Sequence, residues 1–520
     1  MASALPTPTR SPRLARPSWV AAVEGASALA FLVLAALLFL RSAKAPPMVA
    51  LDPAALQAGP ANERWYGIYF HDQHVGWSLS RSSPLPDGGA LFEQRSSFSV
   101  ATFGKLQEVV TAGAALVDAS GGLRRFDFFM AADAVQLVAR GEVRGDQIEM
   151  DVIQAGETSR LTFPVSRPPQ VGVSLEARLA REPLAVGHRF SVPYFDPVSM
   201  AEGEMEMLVT DVEIIDGGEE AWWVRSSFAG MDTRALIASD GSTLRQESGL
   251  GLSSVRMSAE AAQAVPTGGA PVDLISLSAV RLDGSLPDPR GLTRLDVVIT
   301  GVDVARVPHD PPRQMREDDR LVIEVQPETS LPDGLPLWPD ANAAPGALRA
   351  ALSPTATLPS AHPEVQAQAL RVIDGATDRK AAARKLLDWV YTNVDKEPSV
   401  GVPNGLEVLR RMRGDCNEHT ALFVSLARAA GIPARIAAGV VYSDRIGGGA
   451  FYYHAWPEVA LGPNDSFVPI DPTFGQWTAD ATHIKLVEGD LDRQVEIMGF
   501  LGRLGFSLRG AEGPRPPAQP

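Results

Sequence analysis

The sequence predicts an α+β chain of several domains: an N-terminal transmembrane helix, antiparallel β-rich domains, and a C-terminal domain in which helices pack on a sheet. Three observations predict it. Trp19 to Leu40 is apolar except for Glu24, and such a run reaches the roughly 20 residues needed to cross a bilayer. From Arg64 to about residue 262, short alternating runs are separated by turn signals, the pattern of an antiparallel sheet. From His362 onward, apolar residues recur at helical spacing.

Residues 1–17 carry Arg10, Arg13 and Arg16, whereas only Arg41 and Lys44 follow the apolar run. The positive-inside bias therefore puts 1–17 in the cytoplasm, and 18–41 is expected to be an uncleaved signal anchor. Ala43-Lys44-Ala45 also satisfies a small-x-small cleavage pattern, which leaves removal of the anchor open. The expected location is the inner (cytoplasmic) membrane, crossed once, with the later domains on the periplasmic side.

Residues 42–61, with Pro46, Pro47, Pro53 and Pro60, read as a linker. Turn signals at Asp72-Gln73, Asp87-Gly88-Gly89, Ser120-Gly121-Gly122, Gly145-Asp146, Asp216-Gly217-Gly218 and Ser239-Asp240-Gly241 divide 62–264 into strands of one large curved sheet or open barrel. A smaller β-rich region with a Pro- and Ala-rich linker is expected over 265–350. The domain at 351–490 opens with a helix behind Pro363, whose face is marked by Val365, Ala369, Leu370 and Ile373. A second helix follows Asp378, with Ala383, Leu386, Leu387, Val390, Tyr391 and Val394 on its inner side. Residues 491–510 form a C-terminal extension, and the Pro-rich 511–520 is expected to be a disordered tail.

Composition narrows the class. At 45% hydrophobic and 21% charged residues the chain has ample core for globular domains. A net charge of −15 with no basic stripe excludes nucleic acid as a partner.

The chemistry gathers between Gly414 and Gln476, around the single cysteine of the 520-residue chain. Asp415 is a good helix N-cap and Glu418 stands three residues on, a variant capping box that puts Cys416 in the first helical turn. Free N–H groups and the helix dipole there favour thiolate, and the Cys416 N–H can face an oxyanion. His454 lies in Phe451–Leu461, a run too apolar for clean alternation and so expected to be a strand covered on both faces. The turn at Gly447-Gly448-Gly449 makes it a hairpin partner of Arg435–Tyr442. Asp471 ends a third short strand, Phe467–Ile470. A lone Cys, then a His, then an Asp, each on its own element, is the layout of a thiol nucleophile, its base and the base's orienter. A small buried hydrophobe is the other reading of such a Cys. Cys416 and His419 alone are too few ligands for zinc, so no metal and no cofactor is expected.

At these residues the chain resembles the transglutaminase-like superfamily, through GDCNEHTALFVSLARAAGIPAR from Gly414, YHAWPEV from Tyr453 and VPIDPTFG from Val468. It is similar to bacterial membrane-anchored exported members. The resemblance implies a papain-like core with Cys416 as nucleophile, His454 as base then acid, and Asp471 as orienter. It also implies an oxyanion side chain upstream of the Cys, for which Asn404 is the candidate; a helix N-cap before Gly405 is Asn404's alternative role. Trp456, on the His454 side of its strand, is the candidate wall of a substrate groove. The expected function is acyl transfer on a peptide or isopeptide amide through a Cys416 thioester, hydrolysis before transamidation, with a cell-envelope peptide or protein as substrate. The alternative is a catalytically idle scaffold that binds envelope peptides or proteins.

Overall fold

The computed structural model describes residues 61–513, apart from 103, 133–134, 267–272, 274–278, 287, 339, 400 and 446–448. The expected anchor at 18–41, the first two glycines of the 447–449 turn and the tail from 514 lie outside the described residues. Among the described residues no helix is long and apolar enough to cross a membrane.

The β-rich region is one 14-stranded antiparallel sheet. From Asn62–Phe70 the chain meanders outward to the edge strand Glu157–Pro164. It then crosses through a short helix, Leu175–Leu179, and meanders back from the opposite edge, Arg189–Asp196. Leu252–Met257 closes the circuit by pairing with Asn62–Phe70, Trp65 opposite Met257. Alternation builds this sheet: along Gln147–Gln154 the residues Ile148, Met150, Val152 and Gln154 are buried, and their neighbours are not. Glu176 staples the crossover, accepting from Arg64 Nη1 and from the Thr243 N–H, both at 3.0 Å.

The strands between 282 and 324 differ from the expected separate region. Leu282–Asp283, Arg294–Thr300, Gln314–Glu317 and Arg320–Glu324 share a five-stranded sheet with Gly505–Glu512, which lies between the first two of them. Residues 505–510 are therefore a sheet strand rather than an extension, and Ala511 and Glu512 are not a loose tail: they pair with Leu295 and Arg294. Apolar side chains on both sides decide this. Leu295, Val297, Leu321, Ile323 and Phe506 bury against Val440, Phe451, Ile484 and Leu486 of the neighbouring sheet in a single core.

That neighbouring sheet is four-stranded and antiparallel, ordered Phe467–Pro469, Ala450–Ala460, Ala434–Ser443, Ile484–Glu488. Helices Pro363–Val372, Arg379–Asn393 and Cys416–Ala429 cover its other face through Val365, Leu386, Leu422, Phe423, Ile436 and Val459. Two-sided covering explains why Ala450–Ala460 is buried everywhere except Tyr453. On the helices, Leu370 and Tyr391 depart from the expected inner faces and are exposed.

Gly439 sits where strand and site meet. A Cβ there would stand 2.0 Å from the Ile484 carbonyl oxygen and 3.0 Å from the Trp456 ring. Gly439→Ala is therefore expected to destabilise the domain by about 3 kcal/mol or more, read as a lowered denaturation midpoint.

Candidate functional site

The Cys416–Ala429 helix begins as its sequence dictates. Asp415 Oδ1 accepts the Asn417 N–H at 2.9 Å, and Glu418 Oε2 accepts the Asp415 N–H at 2.9 Å. The helix is buried through Thr420, Leu422, Phe423 and Leu426, which fixes Cys416 at its first turn. Three contacts join this helix start to the neighbouring strand. Thr420 Oγ1 donates to the Ala455 carbonyl at 3.0 Å, and the Ala455 N–H points at the Cys416 sulfur. The residue after His454 thus holds the thiol. Tyr453 on the same strand donates its hydroxyl to Asn417 Oδ1 at 2.8 Å.

His454 Nε2 lies 2.8 Å from Asp471 Oδ2, with both side chains buried. A carboxylate partner assigns the proton to Nε2 and leaves Nδ1 as an acceptor. Asp471 owes its orientation to the turn it begins: Oδ1 accepts the Thr473 N–H at 2.6 Å and the Phe474 N–H at 3.0 Å. Burial opposes its charge, yet His454 and then His483 hold the carboxyl well below the usual range.

The thiol is poised differently from the thiolate expected at a helix start. Burial pushes the Cys416 pKa well up, and Asp415 adds to it; the Ala455 N–H opposes both, and Glu418 and Asp471 raise it further. Protonated thiol is the resting form this environment favours. Burial and Asp415 likewise push the Glu418 carboxyl well above its ordinary range.

Two residues that the sequence nominated for the site have other work. Asn404 caps the Gly405–Arg411 helix, Oδ1 accepting the Leu406 and Glu407 N–H groups, while Nδ2 donates to the Ala356 carbonyl at 2.9 Å. Its amide is committed, so it is not free to meet an oxyanion. Trp456 does share the side of His454, but it is 1% exposed and backs the site instead of walling a groove. Its ring lies 6.1 Å from His454 and edge-on to His483 at 5.2 Å.

Two further site residues do not stand out in the sequence. Phe474 stacks on His454, ring centroids 4.8 Å apart and planes 8° from parallel, and remains 38% exposed, so it is the aromatic that meets solvent at the site. Its position three residues after Asp471 was the available signal. His483 reaches the far side of Asp471, its Nε2 at 3.0 Å from the same Oδ2. A histidine directly before the closing edge strand Ile484–Glu488 gave the only hint of it. His454, Asp471 and His483 offer donor atoms within 4.8 Å of one another, the one such group among the described residues. Their N···O separations are those of hydrogen bonds, and both histidines are bonded to Asp471. His419 stands apart from them, its Nδ1 on the Asp415 carbonyl at 2.7 Å.

Residues 366–472, which hold Cys416, His454 and Asp471, match the family model of the transglutaminase-like superfamily. Three solved structures are similar in part. One is a cysteine-protease candidate from Cytophaga hutchinsonii, at 15% identity over 43% of this chain and 85% of that one, TM-score 0.27. Another is a β-barrel-like protein of a domain of unknown function from Brucella abortus, at 12% identity over 38% of this chain and 95% of that one, TM-score 0.31. The third is the periplasmic domain of TgpA from Pseudomonas aeruginosa bound to ethylmercury, at 17% identity over 38% of this chain and 92% of that one, TM-score 0.24. All three likenesses are remote. No curated protein matches the chain.

Proposed function

We propose, from the transglutaminase-like segment at 366–472, that this chain is a cysteine enzyme that transfers acyl groups from a peptide or isopeptide amide. The observation that carries the reading is the single Cys416 at a half-buried helix start, hydrogen-bonded by the residue that follows His454, while His454 is itself bonded to Asp471. In the proposed reaction His454 Nδ1 takes the thiol proton as sulfur attacks the carbonyl carbon. The Cys416 N–H receives the developing oxyanion. His454 then returns the proton to the departing amine, leaving a thioester on Cys416. Water attacks next, its proton going to His454, and the thiol regains that proton as the acid leaves. Water is the acceptor always at hand, which favours hydrolysis over transamidation. Membrane anchoring by 18–41, placement outside the inner membrane and an envelope substrate belong to the same proposal and rest on the sequence.

Trapping the acyl-enzyme tests it. The full chain is mixed with envelope extract, quenched in acid and digested, and the Cys416 peptide is weighed by mass spectrometry. A thioester-linked peptide lost on hydroxylamine treatment is the expected result. A second arm supplies a glutamine donor peptide and a labelled primary amine: Cys416-dependent amine incorporation exceeding release of free acid would turn the assignment to transamidation. The upward push on the Cys416 pKa favours a second reading, an idle scaffold that binds envelope peptides. That reading is supported if iodoacetamide modifies Cys416 equally in the wild type and in His454→Ala at every pH.

A further inference from the structure

Asp471 has its lone pairs fully used. Oδ1 accepts two backbone N–H groups, and Oδ2 accepts from both His454 and His483. A thiol–imidazole–carboxylate set needs only one of those histidines, so the second has another purpose. His483 is fully buried, with its ring edge against Trp456 at 5.2 Å and against Phe474 at 6.1 Å.

Both of its nitrogens face oxygen. Nε2 is 3.0 Å from Asp471 Oδ2, and Nδ1 is 3.2 Å from the Asp480 carbonyl and 3.4 Å from Asp480 Oδ1. A neutral imidazole has one N–H, so in that form one nitrogen lone pair would point at an oxygen lone pair inside the protein. An imidazolium satisfies both ends. Asp480 is built to hold that charge: Oδ1 accepts the Thr482 N–H at 2.8 Å and the Thr482 hydroxyl at 2.5 Å, and Oδ2 accepts from Gln476 Nε2 at 2.8 Å. Arg290 pairs with its carboxylate at 2.9 Å, and buried Arg313 donates to its carbonyl at 2.6 Å. The titratable groups facing His483 are thus Asp480 from its own turn, Asp471 from the preceding turn, and His454 across Asp471. Arg290 and Arg313 stand behind Asp480. Lys485, two residues on, belongs to a different cluster with Asp310, Glu458 and Glu488.

We propose that His483 is a positioning residue of the site, an imidazolium clamped between Asp471 and Asp480 that fixes the Asp471 carboxylate for His454 and cancels its charge. The assignment rests on the reading of Cys416 and His454 as nucleophile and base. Burial alone would pull the His483 pKa down; the Asp480 and Asp471 carboxylates outweigh it and leave it raised, in keeping with the geometry. The consequence is electrostatic. A positive charge beyond Asp471 makes protons on the Cys416 side easier to release, and its removal makes them harder to release.

Because the chain has one cysteine, the pH dependence of iodoacetamide alkylation reports on this site without any substrate. The experiment compares the full chain with His483→Gln, His483→Arg and His454→Ala. The expected result is that His483→Gln moves the midpoint of the reactivity profile up by roughly one pH unit, while His483→Arg, which keeps the charge, leaves the midpoint in place. A His483→Gln midpoint equal to or below that of the wild type, including uniform slowing at all pH values, overturns the proposal, since that is what a packing role would give. Where His483→Gln gives no cooperative melt, histidine 15N spectra of the wild-type chain decide. An imidazole with both nitrogens protonated at pH 8, its signal absent from His483→Arg, supports the proposal; a neutral His483 ring overturns it. A wild-type profile unchanged by His454→Ala would instead sink the nucleophile and base reading, while the 15N spectra still settle the charge on His483.

Discussion

Replacing Cys416 by Ala should reduce acyl transfer by roughly 10⁴-fold or more, because no other thiol exists in the chain to form the thioester. The fold should survive. Cys416 is only half-buried at a helix start whose cap is made by Asp415 and Glu418, so its side chain carries little of the packing. Unfolding midpoints of the variant and the wild type are expected to agree within a few degrees. Cys416→Ser keeps the shape but offers a far poorer nucleophile against the same base. Activity in Cys416→Ser equal to wild type would remove the covalent route altogether.

Asp471→Asn is expected to be almost as severe, and for two reasons at once. Oδ1 is needed by the Thr473 and Phe474 N–H groups, so the new amide nitrogen must occupy the other position, facing the Nε2–H groups of both His454 and His483. Donor would meet donor twice. His454 can escape only by moving its proton to Nδ1, which takes away its capacity as base, and a loss of about 10³–10⁴-fold in kcat is the scale for such a tautomer error. Stability falls too, since one partner of a buried ionic set is lost, at a cost of about 3–5 kcal/mol. The sign with pH follows from the depressed carboxyl. A group whose folded-state pKa is lowered contributes its full stability above its unfolded pKa, about 3.9 for Asp, and loses it as pH falls toward the folded value. The gap in unfolding midpoint between wild type and Asp471→Asn should therefore be widest near pH 5 to 6, narrow below about pH 4, and narrow again above about pH 6.5, where the His483 imidazolium that Asp471 helps to hold no longer adds its full stability. A gap that opened on acidification below about pH 4 would contradict the ionised pair.

Much of the site was legible because its parts are local. Asp415 and Glu418 announce the helix start that carries Cys416, and two-sided burial of His454's strand follows from its unbroken apolar run. What the sequence hid was direction and distance. Alternation puts Trp456 beside His454, yet cannot say that it ends fully buried with its ring against His483. Asn404 reads first as a cap and second as an oxyanion donor, and the structure makes it the cap, with Ala356 and Gln154 taking its amide nitrogen. His483 becomes part of the site only when the turn after Asp471 folds back. In the β-rich region the turns mark the strands, but periodicity holds no record of partners beyond the next hairpin, so the closure of Trp65 onto Met257 was invisible. The same limit hid Gly505–Glu512, whose partners lie some two hundred residues earlier.

That last strand sets an order of events. Arg294–Thr300 has Gly505–Glu512 as one of its two neighbours, and Phe506 contributes to the core that also contains Phe451 and Ile484 from the His454 sheet. While a chain emerges in sequence, the sheet that carries His454 can form its local hairpins, but its outer face is only partly covered, by residues such as Leu295 and Leu321, until residues 505–512 bring Phe506. Maturation of the candidate site is thus tied to completion of nearly the whole described polypeptide. A chain cut short before Gly505 is therefore expected to carry Cys416 and His454 on an unfinished support.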